Sequence, residues 1–437
     1  MNESVGSAIH LAPERVEIDA PRDTTKQRKP AESGFHIPAE YAFLKRAFES
    51  KGELGVADFY YQAFEGPNRE RAVRDGNEFI NFCSYDYLGM AGDPDVSAAA
   101  IKAVETYGTS VSASRLVSGE RPFHRELEVA IADLMGAEEA LVFVSGFVTN
   151  ADAIGHLMGP DDLIIHDALI HASVREGVRL SGAAVESFPH GDLDALEKLL
   201  ADQHNEARQI LIVVEGIYSM DGDIPDLPRL VEMKRRYGAL LMVDEAHSIG
   251  VLGAGGRGIG EHQQVATDDV DLWMGTLSKA FASCGGYLAG KRELITYLRH
   301  TAPAFVYSVG LAPPLAAAAL TSIQLLKQQP ERVAKLRLRT HLFHRLAKEK
   351  GLDLGNSHPD SAVAPLMMAE PRQVTWLGRF LLERKILVIP LGFPAVPWNK
   401  PRFRFFVTAN HSEDDIRQAI EIVGEGLAEA KRRDPRS

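Results

Sequence analysis

The chain has 437 residues, and its 48 Lys and Arg residues against 60 Asp and Glu residues give a formal net charge of −12. Hydrophobic residues make up 45% and charged residues 25%, which is a globular composition and excludes disorder along the whole length. At this length two or three domains are expected. The acidic balance argues against a nucleic-acid-binding or membrane-surface protein, because either needs a basic footprint.

Cysteine usage and hydropathy favour a cytoplasmic protein. Cys83 and Cys284 lie too far apart for a CxxC motif, and so few cysteines indicate a reducing compartment. No run of about 18 apolar residues exists, so no membrane span is predicted. The first residues lack the basic and then apolar pattern of a secretory signal.

The N-terminal part is predicted to contain two segments of different structure, residues 1–35 and residues 36–80. Residues 1–35 are rich in proline, charged and small residues, which predicts a mobile arm. Residues 36–80 predict a segment of short helices and a strand, because aromatic residues recur at helical spacing over 38–64. That strand is expected at 78–82, with a turn at 84–89.

From about residue 140 to 290, short apolar runs alternate with amphipathic stretches, which predicts an α/β layer with a mostly parallel sheet. The expected strands are 140–144, 162–166, 209–214, 240–243, 272–275 and 286–289. The clearest expected helices are 193–201 and 227–237. Ligands bind at the carboxyl ends of such strands, so functional residues should follow these runs.

The chain after Pro313 predicts a second, smaller domain of the α+β type. A long helix is expected from there towards residue 352, then strands at 365–368 and 402–407 and helices at 374–384 and 412–430. This assigns residues 81–312 to a large domain and 313–437 to a small one.

A DEAH sequence, Asp244 to His247, ends one of these strands and is the signature of nucleotide-driven helicases. That function also needs a G-x-x-x-x-G-K-[ST] phosphate loop. The one Gly-Lys pair, at 290–291, is followed by Arg292, which excludes the helicase interpretation.

Lys279 follows the strand at 272–275 in the sequence Gly-Thr-Leu-Ser-Lys. Burial at a strand end lowers a lysine pKa, and a neutral amine is what Schiff-base chemistry needs. Thr276 and Ser278 add hydroxyls suited to a phosphate. A solvated lysine at a strand end is the alternative.

Two further signals are ambiguous alone. Ser145-Gly146-Phe147 precedes a helix and is either an anion-binding N-terminus or a plain turn. His171 begins another helix and either faces an aromatic cofactor or caps the helix. His166 and His171 are five positions apart and do not share a helix face, so no metal site is predicted.

Together these signals fit pyridoxal phosphate, which needs a lysine, an acid at its pyridine nitrogen and a phosphate cup. Lys279, Asp244 and the turn at 145–147 supply the three. The protonated ring then acts as an electron sink for a carbanion at the Cα of an amino acid.

The chain resembles the α-oxoamine synthase family of fold type I (aspartate-aminotransferase-like) enzymes over about residues 75–430. The resemblance rests on CSYDYLGM, SGF, HASV, EGIYSMDGD, VDEAHSIG, GRG, GTLSKAF and RFRFFVTANH. It implies a seven-stranded, mostly parallel sheet flanked by helices, a smaller α+β C-terminal domain, and a homodimer with a shared active site. It also implies a decarboxylative condensation of serine, glycine or alanine with an acyl thioester of coenzyme A or a carrier protein. The products are an α-amino ketone, carbon dioxide and a free thiol.

The resemblance also implies residue roles. Lys279 holds the cofactor and removes the Cα proton, Asp244 pairs with the pyridine nitrogen, and His171 stacks on the ring. The remaining cofactor contacts are Ser219 and His247 at the ring hydroxyl, and Ser145, Gly146, Phe147, Thr276, Ser278 and a partner-chain Ser308 around the phosphate. The expected substrate contacts are Arg404, which grips the carboxylate, with Tyr85 and Ser110.

The branch of the family stays open. Tyr85 replaces an asparagine of many relatives, and with EGIYSMDGDIP and VDEAHSIG it favours a serine palmitoyltransferase-like enzyme. An 8-amino-7-oxononanoate synthase-like enzyme, or a natural-product enzyme that uses an acyl carrier protein, is the alternative. Docking of a carrier protein would depend on a local basic patch such as Arg115, Arg121 and Arg125. An aminotransferase or aldolase, or an inactive partner subunit, is the remaining alternative.

Overall fold

The computed structural model describes residues 41, 45, 59–392, 396 and 400–433. The predicted arm at 1–35, and most of the predicted helical segment after it, lie outside these residues. The strands are β1 (Arg71–Arg74), β2 (Asn77–Asn81), β3 (Glu139–Phe143), β4 (Leu163–Asp167), β5 (Ala184–Phe188), β6 (Ile210–Glu215), β7 (Leu240–Asp244), β8 (Leu272–Thr276), β9 (Gly286–Gly290), β10 (Val363–Met367), β11 (Ile386–Leu387), β12 (Pro390–Leu391) and β13 (Arg402–Phe406). The helices are Pro94–Tyr107, Pro122–Met135, Gly146–Leu157, Ala172–Ser181, Leu193–Gln203, Leu227–Tyr237, Ile259–His262, Arg292–Thr301, Pro303–Val306, Pro313–Gln328, Glu331–Glu349, Pro371–Glu383 and Glu413–Arg433. None in this part of the chain is long and apolar enough to cross a membrane.

A seven-stranded sheet, in the order β3-β9-β8-β7-β6-β4-β5, confirms the predicted architecture. Only β9 runs against the others. The edge strand β5 was missed because four of its five residues, Ala-Val-Glu-Ser, are exposed and give no apolar run.

Both faces of this sheet are covered, which explains the continuous apolar runs. In β6, Ile210, Ile212 and Val214 join one core cluster, whereas Leu211 and Val213 join another on the opposite face. A strand buried on both faces shows no alternation of apolar and polar residues. On this sheet, space for a ligand is therefore expected at the strand ends and not on the faces.

The single long helix predicted after Pro313 is wrong. The structure has two helices, Pro313–Gln328 and Glu331–Glu349. Pro330 stands between them and excludes a helical conformation at the preceding Gln329, whose φ is −127° and ψ 62°.

The C-terminal part builds a second sheet, β10-β13-β12, with its own core around Leu366, Leu377, Phe403 and Phe405. Strand β2 joins this part by pairing with β11. The helix Pro313–Gln328, however, packs into the core of the large sheet. The boundaries at 80/81 and 312/313 stay predictions.

Candidate active site

The carboxyl ends of five parallel strands meet at one edge of the large sheet. β6 and β7 end at Glu215 and Asp244, and β8 ends just before Lys279. β3 and β4 lead to Ser145 and His171, each at the N-terminus of the next helix. The sheet direction therefore brings together residues that are up to 134 positions apart (279 − 145).

Lys279 lies in this group as a partly buried amine. Its Nζ lies 6.0 Å from the centre of the Tyr85 ring. Burial lowers the Lys279 pKa to about 8, and the positive charge of Arg404 lowers it too, whereas the negative charge of Asp244 opposes this. A larger share of this amine than of an ordinary lysine is therefore uncharged and nucleophilic near neutral pH.

Asp244 is buried with its carboxylate fixed by two donors. The Ala246 amide donates to Oδ1 at 2.9 Å, and Asn150 Nδ2 donates to Oδ2 at 2.7 Å. A buried carboxylate held in this way is oriented to pair with a cation placed at the strand end.

Asn150 links this aspartate to His171 and was missed in the sequence. Its Nδ2 also lies 2.9 Å from Ser173 Oγ, which in turn lies 2.7 Å from His171 Nδ1. The Ser173 amide donates to the same Nδ1 at 3.2 Å, so the proton of the neutral ring is on Nε2. Burial lowers the His171 pKa, which favours this neutral form. The one sequence signal for Asn150 was its place one helical turn beyond Gly146.

Glu215 was missed as well, although it begins EGIYSMDGD. It pairs with Asp244 in the sheet register and is fully buried. Its Oε2 accepts the Ser219 amide at 3.2 Å, while Oε1 has no hydrogen-bond partner among the described residues. Burial, and then the charge of Asp244, raise the Glu215 pKa to about 8. The carboxyl is therefore largely protonated near neutral pH.

Four of the expected phosphate residues, Ser145, Gly146, Thr276 and Ser278, form one cradle. Ser145 caps the helix Gly146–Leu157 without a side-chain hydrogen bond to it, which leaves first-turn amides for an anion. A Cβ on Gly146 would lie 2.8 Å from Thr276 Oγ1, so only glycine permits this approach. Thr276 Oγ1 lies 2.6 Å from Ser278 Oγ, and Phe147, next to Gly146 in the chain, is exposed.

Arg404 reaches the site from the C-terminal sheet. Its Nη1 donates to the Ser219 carbonyl at 2.9 Å and its Nη2 to the Tyr85 hydroxyl at 3.4 Å. Its buried Nε has no partner in the described part of the chain. Arg402, by contrast, is tied to Asp221 at 2.7 Å. The structure thus leaves Arg404 with donor capacity for a ligand.

His247 and Ser219 line the same region. The Tyr87 hydroxyl lies 2.7 Å from His247 Nδ1, and the His247 ring is stacked parallel to Phe406 at 6.2 Å. Burial, together with the charges of Lys279 and Arg404, lowers the His247 pKa well below its usual value. The imidazole is therefore a neutral hydrogen-bonding group.

His190 clamps the loop that carries Ser219. Its Nδ1 lies 2.9 Å from Asp167 and its Nε2 3.0 Å from Asp223. Burial lowers the His190 pKa, but hydrogen bonds to both carboxylates outweigh this and raise it to about 10. A charged imidazolium therefore fastens the loop after β6 to the ends of β4 and β5.

Two expected site residues are not brought into this group. Ser308 Oγ donates to the Val309 carbonyl at 3.3 Å, and Ser110 Oγ accepts the Ser112 amide at 3.0 Å. No hydrogen bond among the described residues joins either to the strand ends.

The proposed carrier-protein patch is wrong in one member. Arg115 is buried and pairs with Glu120 and with Glu128. A side chain held between two carboxylates offers no charge to a docking partner. Arg125 is also paired, with Glu139.

The residues present fit pyridoxal phosphate. The unpaired helix start at Ser145 with Thr276 and Ser278 suits the phosphate, the fixed carboxylate of Asp244 suits a protonated ring nitrogen, and Lys279 suits the aldehyde.

Comparison with known proteins agrees with this fit. The aminotransferase class I and II family model matches residues 77–423. The chain is 40% identical to 8-amino-7-oxononanoate synthase of Fervidobacterium nodosum over 373 residues, 84% of this chain and 94% of that protein. It is 38% identical to serine palmitoyltransferase 3 of Homo sapiens over 386 residues, 85% of this chain and 69% of that protein. A solved structure of SPT with its PLP internal aldimine has a TM-score of 0.81 and 31% identity, covering 84% of this chain and 93% of that one. The chain belongs to the aminotransferase class I and II family and, within it, to the acyl-transferring α-oxoamine synthases, whose cofactor is pyridoxal phosphate.

Proposed function

We propose that this α-oxoamine synthase joins a small amino acid, serine before glycine or alanine, to an acyl thioester, with release of carbon dioxide and a free thiol. The observation that carries the proposal is the convergence of Lys279 and Arg404 beside Tyr85. An amine with a lowered pKa and a guanidinium with an unpartnered Nε suit the amino and carboxylate ends of one amino acid. The Tyr85 hydroxyl beside them favours a substrate with a hydroxyl of its own.

The chain's residues divide the work as follows. When bound, pyridoxal phosphate supplies an electron sink for negative charge at the Cα of the amino acid. Asp244, fixed by Asn150 and the Ala246 amide, would hold the ring nitrogen protonated. Lys279 would hold the cofactor's aldehyde, and its free amine has a pKa suited to taking the Cα proton and later returning one.

His171 and Arg404 orient the reacting groups. Because Ser173 donates to His171 Nδ1, the ring has Nε2–H as its donor, which can stabilise the charge that develops on the thioester oxygen. Arg404 holds the carboxylate until carbon dioxide leaves. Ser219 and His247 would bind the ring hydroxyl, and the cradle around Gly146 and Thr276 would bind the phosphate.

The active enzyme is a homodimer in this proposal. Four exposed apolar side chains support a dimer. They are Leu116, Val117, Tyr307 and Val309, which expose 53%, 77%, 86% and 47% of their surface. The Gly310 amide donates to the Ala113 carbonyl at 3.1 Å, which holds their two segments together as one patch. Ser308, within this patch, would then reach the phosphate site of the partner copy. Val117→Asp should give a monomer by light scattering, whereas Leu338→Asp, at another exposed apolar position, should not.

The test of the reaction is an absorbance titration of the cofactor-loaded protein with serine, glycine and L-alanine, followed by assays of carbon dioxide and free thiol with coenzyme A and carrier-protein thioesters. Arg404→Lys should raise KM for the amino acid about 10- to 100-fold with the cofactor absorbance unchanged, because a bidentate grip is lost. The exposed Arg179→Lys is the control. Thiol release that does not depend on the amino acid, or full activity of Lys279→Ala, would overturn the proposal.

The second candidate is the 8-amino-7-oxononanoate synthase branch, favoured by the 40% identity over 373 residues. A cofactor absorbance that responds to L-alanine and not to serine would select it. A cytoplasmic location is part of either proposal, supported by the low cysteine content.

A further inference from the structure

Three side chains outside the active-site group converge on one point. They are His262, at the end of the short helix Ile259–His262, and His358 and Asp360, in the loop before β10. One ligand atom from each lies within 4.8 Å of the other two, and all three residues are half-buried. The two imidazole rings are 5.5 Å apart and nearly perpendicular, at 84°.

The two carboxylate oxygens of Asp360 have different neighbours. His341 Nε2 contacts its Oδ1, which also lies 3.9 Å from Arg337 Nε. Its Oδ2 faces the other way, 3.9 Å from His262 Nδ1. One oxygen is thus held in place by neighbours while the other remains for a ligand, which is how carboxylates beside metals are commonly oriented.

We propose that His262, His358 and Asp360 bind a divalent transition-metal ion of the zinc class, with water completing the coordination. Two imidazole nitrogens and one carboxylate oxygen are the donor set of Zn²⁺, Co²⁺ and Ni²⁺, whereas Mg²⁺ and Ca²⁺ prefer oxygen alone. Ligand distances of about 2.0–2.2 Å need donors about 3.4 Å apart, so side-chain rotations that bring the donor atoms up to about 1.4 Å closer together complete the site.

The loop that carries His358 and Asp360 contacts the loop after β6, so metal binding affects both. The His358 amide donates to the Gly222 carbonyl at 3.0 Å, and Gly222 belongs to the loop that also carries Ser219. A Cβ on Gly222 would lie 2.1 Å from the Val363 carbonyl oxygen, so the two segments are in close contact. A metal that joins His262 to the loop of His358 and Asp360 therefore also stabilises the loop that carries Ser219, which contacts it. The metal lies outside the active-site group, so it stabilises the fold without entering the reaction.

The experiment is calorimetric titration of the tag-free, cofactor-loaded, chelator-treated protein with ZnCl₂, repeated with MgCl₂, and thermal unfolding with and without Zn²⁺. We expect one Zn²⁺ per chain and a raised Tm. Asp360→Asn and His358→Asn should each weaken binding at least 10-fold, as should His341→Asn through lost orientation of the carboxylate, whereas the exposed His204→Asn should not.

Circular dichroism establishes that each variant is folded. Asp360→Asn and His358→Asn each remove a different ligand, so each tests the site separately. No saturable Zn²⁺ binding below about 1 mM would overturn the proposal, because mass action then gives no stabilisation at lower concentrations. Equal binding by wild type, Asp360→Asn and His358→Asn, or Mg²⁺ binding as tight as Zn²⁺ binding, would overturn it too.

Discussion

Replacing Glu215 by glutamine should stabilise the cofactor-free chain, and more so as the pH rises. The Glu215 pKa is about 8, against an ordinary value of 4.5, because burial and the charge of Asp244 disfavour its ionised form. Between these two values the native chain keeps a proton that the unfolded chain has lost. The unfolding free energy of the wild type therefore falls as the pH rises from about 4.5 to about 8.

The size of the effect follows from the shift. A difference of about 3.5 pKa units corresponds to about 5 kcal/mol at about 1.4 kcal/mol per unit, which is an upper limit because buried sites relax. Glu215→Gln keeps the shape and the acceptor for the Ser219 amide but carries no proton to lose. We expect a gain of at least about 2 kcal/mol at about pH 8.5 and little gain at about pH 5.

Urea unfolding followed by circular dichroism measures both values. The matched control is Glu186→Gln, on the exposed edge strand β5, which makes the same chemical change without burial. The reasoning is refuted if Glu215→Gln gives the same difference at both pH values, or if the variant is the less stable protein at about pH 8.5.

Three further outcomes test other parts of the site. Asn150→Ala removes a donor to a buried carboxylate and should lower the unfolding free energy by about 1–3 kcal/mol in urea titrations, against less than about 0.5 kcal/mol for the exposed Asn205→Ala. Gly222→Ala places a Cβ 2.1 Å from a carbonyl oxygen and should destabilise the chain by at least about 2 kcal/mol more than Gly238→Ala, which has a similar φ but nothing within 4 Å. The stabilisation from protonated His190 should be full below about pH 6.5 and lost as the pH rises through about 10. His190→Gln should remove this pH dependence from thermal unfolding curves. If the dependence persists in the variant, His190 is not the clamp.

Local patterns predicted the elements that carry a periodic or continuous apolar signal. Six of the seven strands of the large sheet were expected within a residue or two, because each is buried on both faces. The helix Leu227–Tyr237 was expected with its bounds, since its apolar face and the glycine that follows it are both local signals. Strand β5 and the break at Pro330 were missed, because an exposed edge strand leaves no apolar run and helical periodicity resumes after the proline.

The sequence by itself determined the cofactor class of this protein, because the residues proposed as the cofactor's lysine, acid and anion-binding turn each follow an apolar strand in an order that suits a parallel sheet. Only the tertiary structure decided the environment of those groups. The pKa shift of Glu215, the link from Asp244 through Asn150 to His171, and the burial of Arg115 all depend on residues that are distant in the chain. Burial and hydrogen bonding are properties of such non-local contacts, so no local pattern could reveal them.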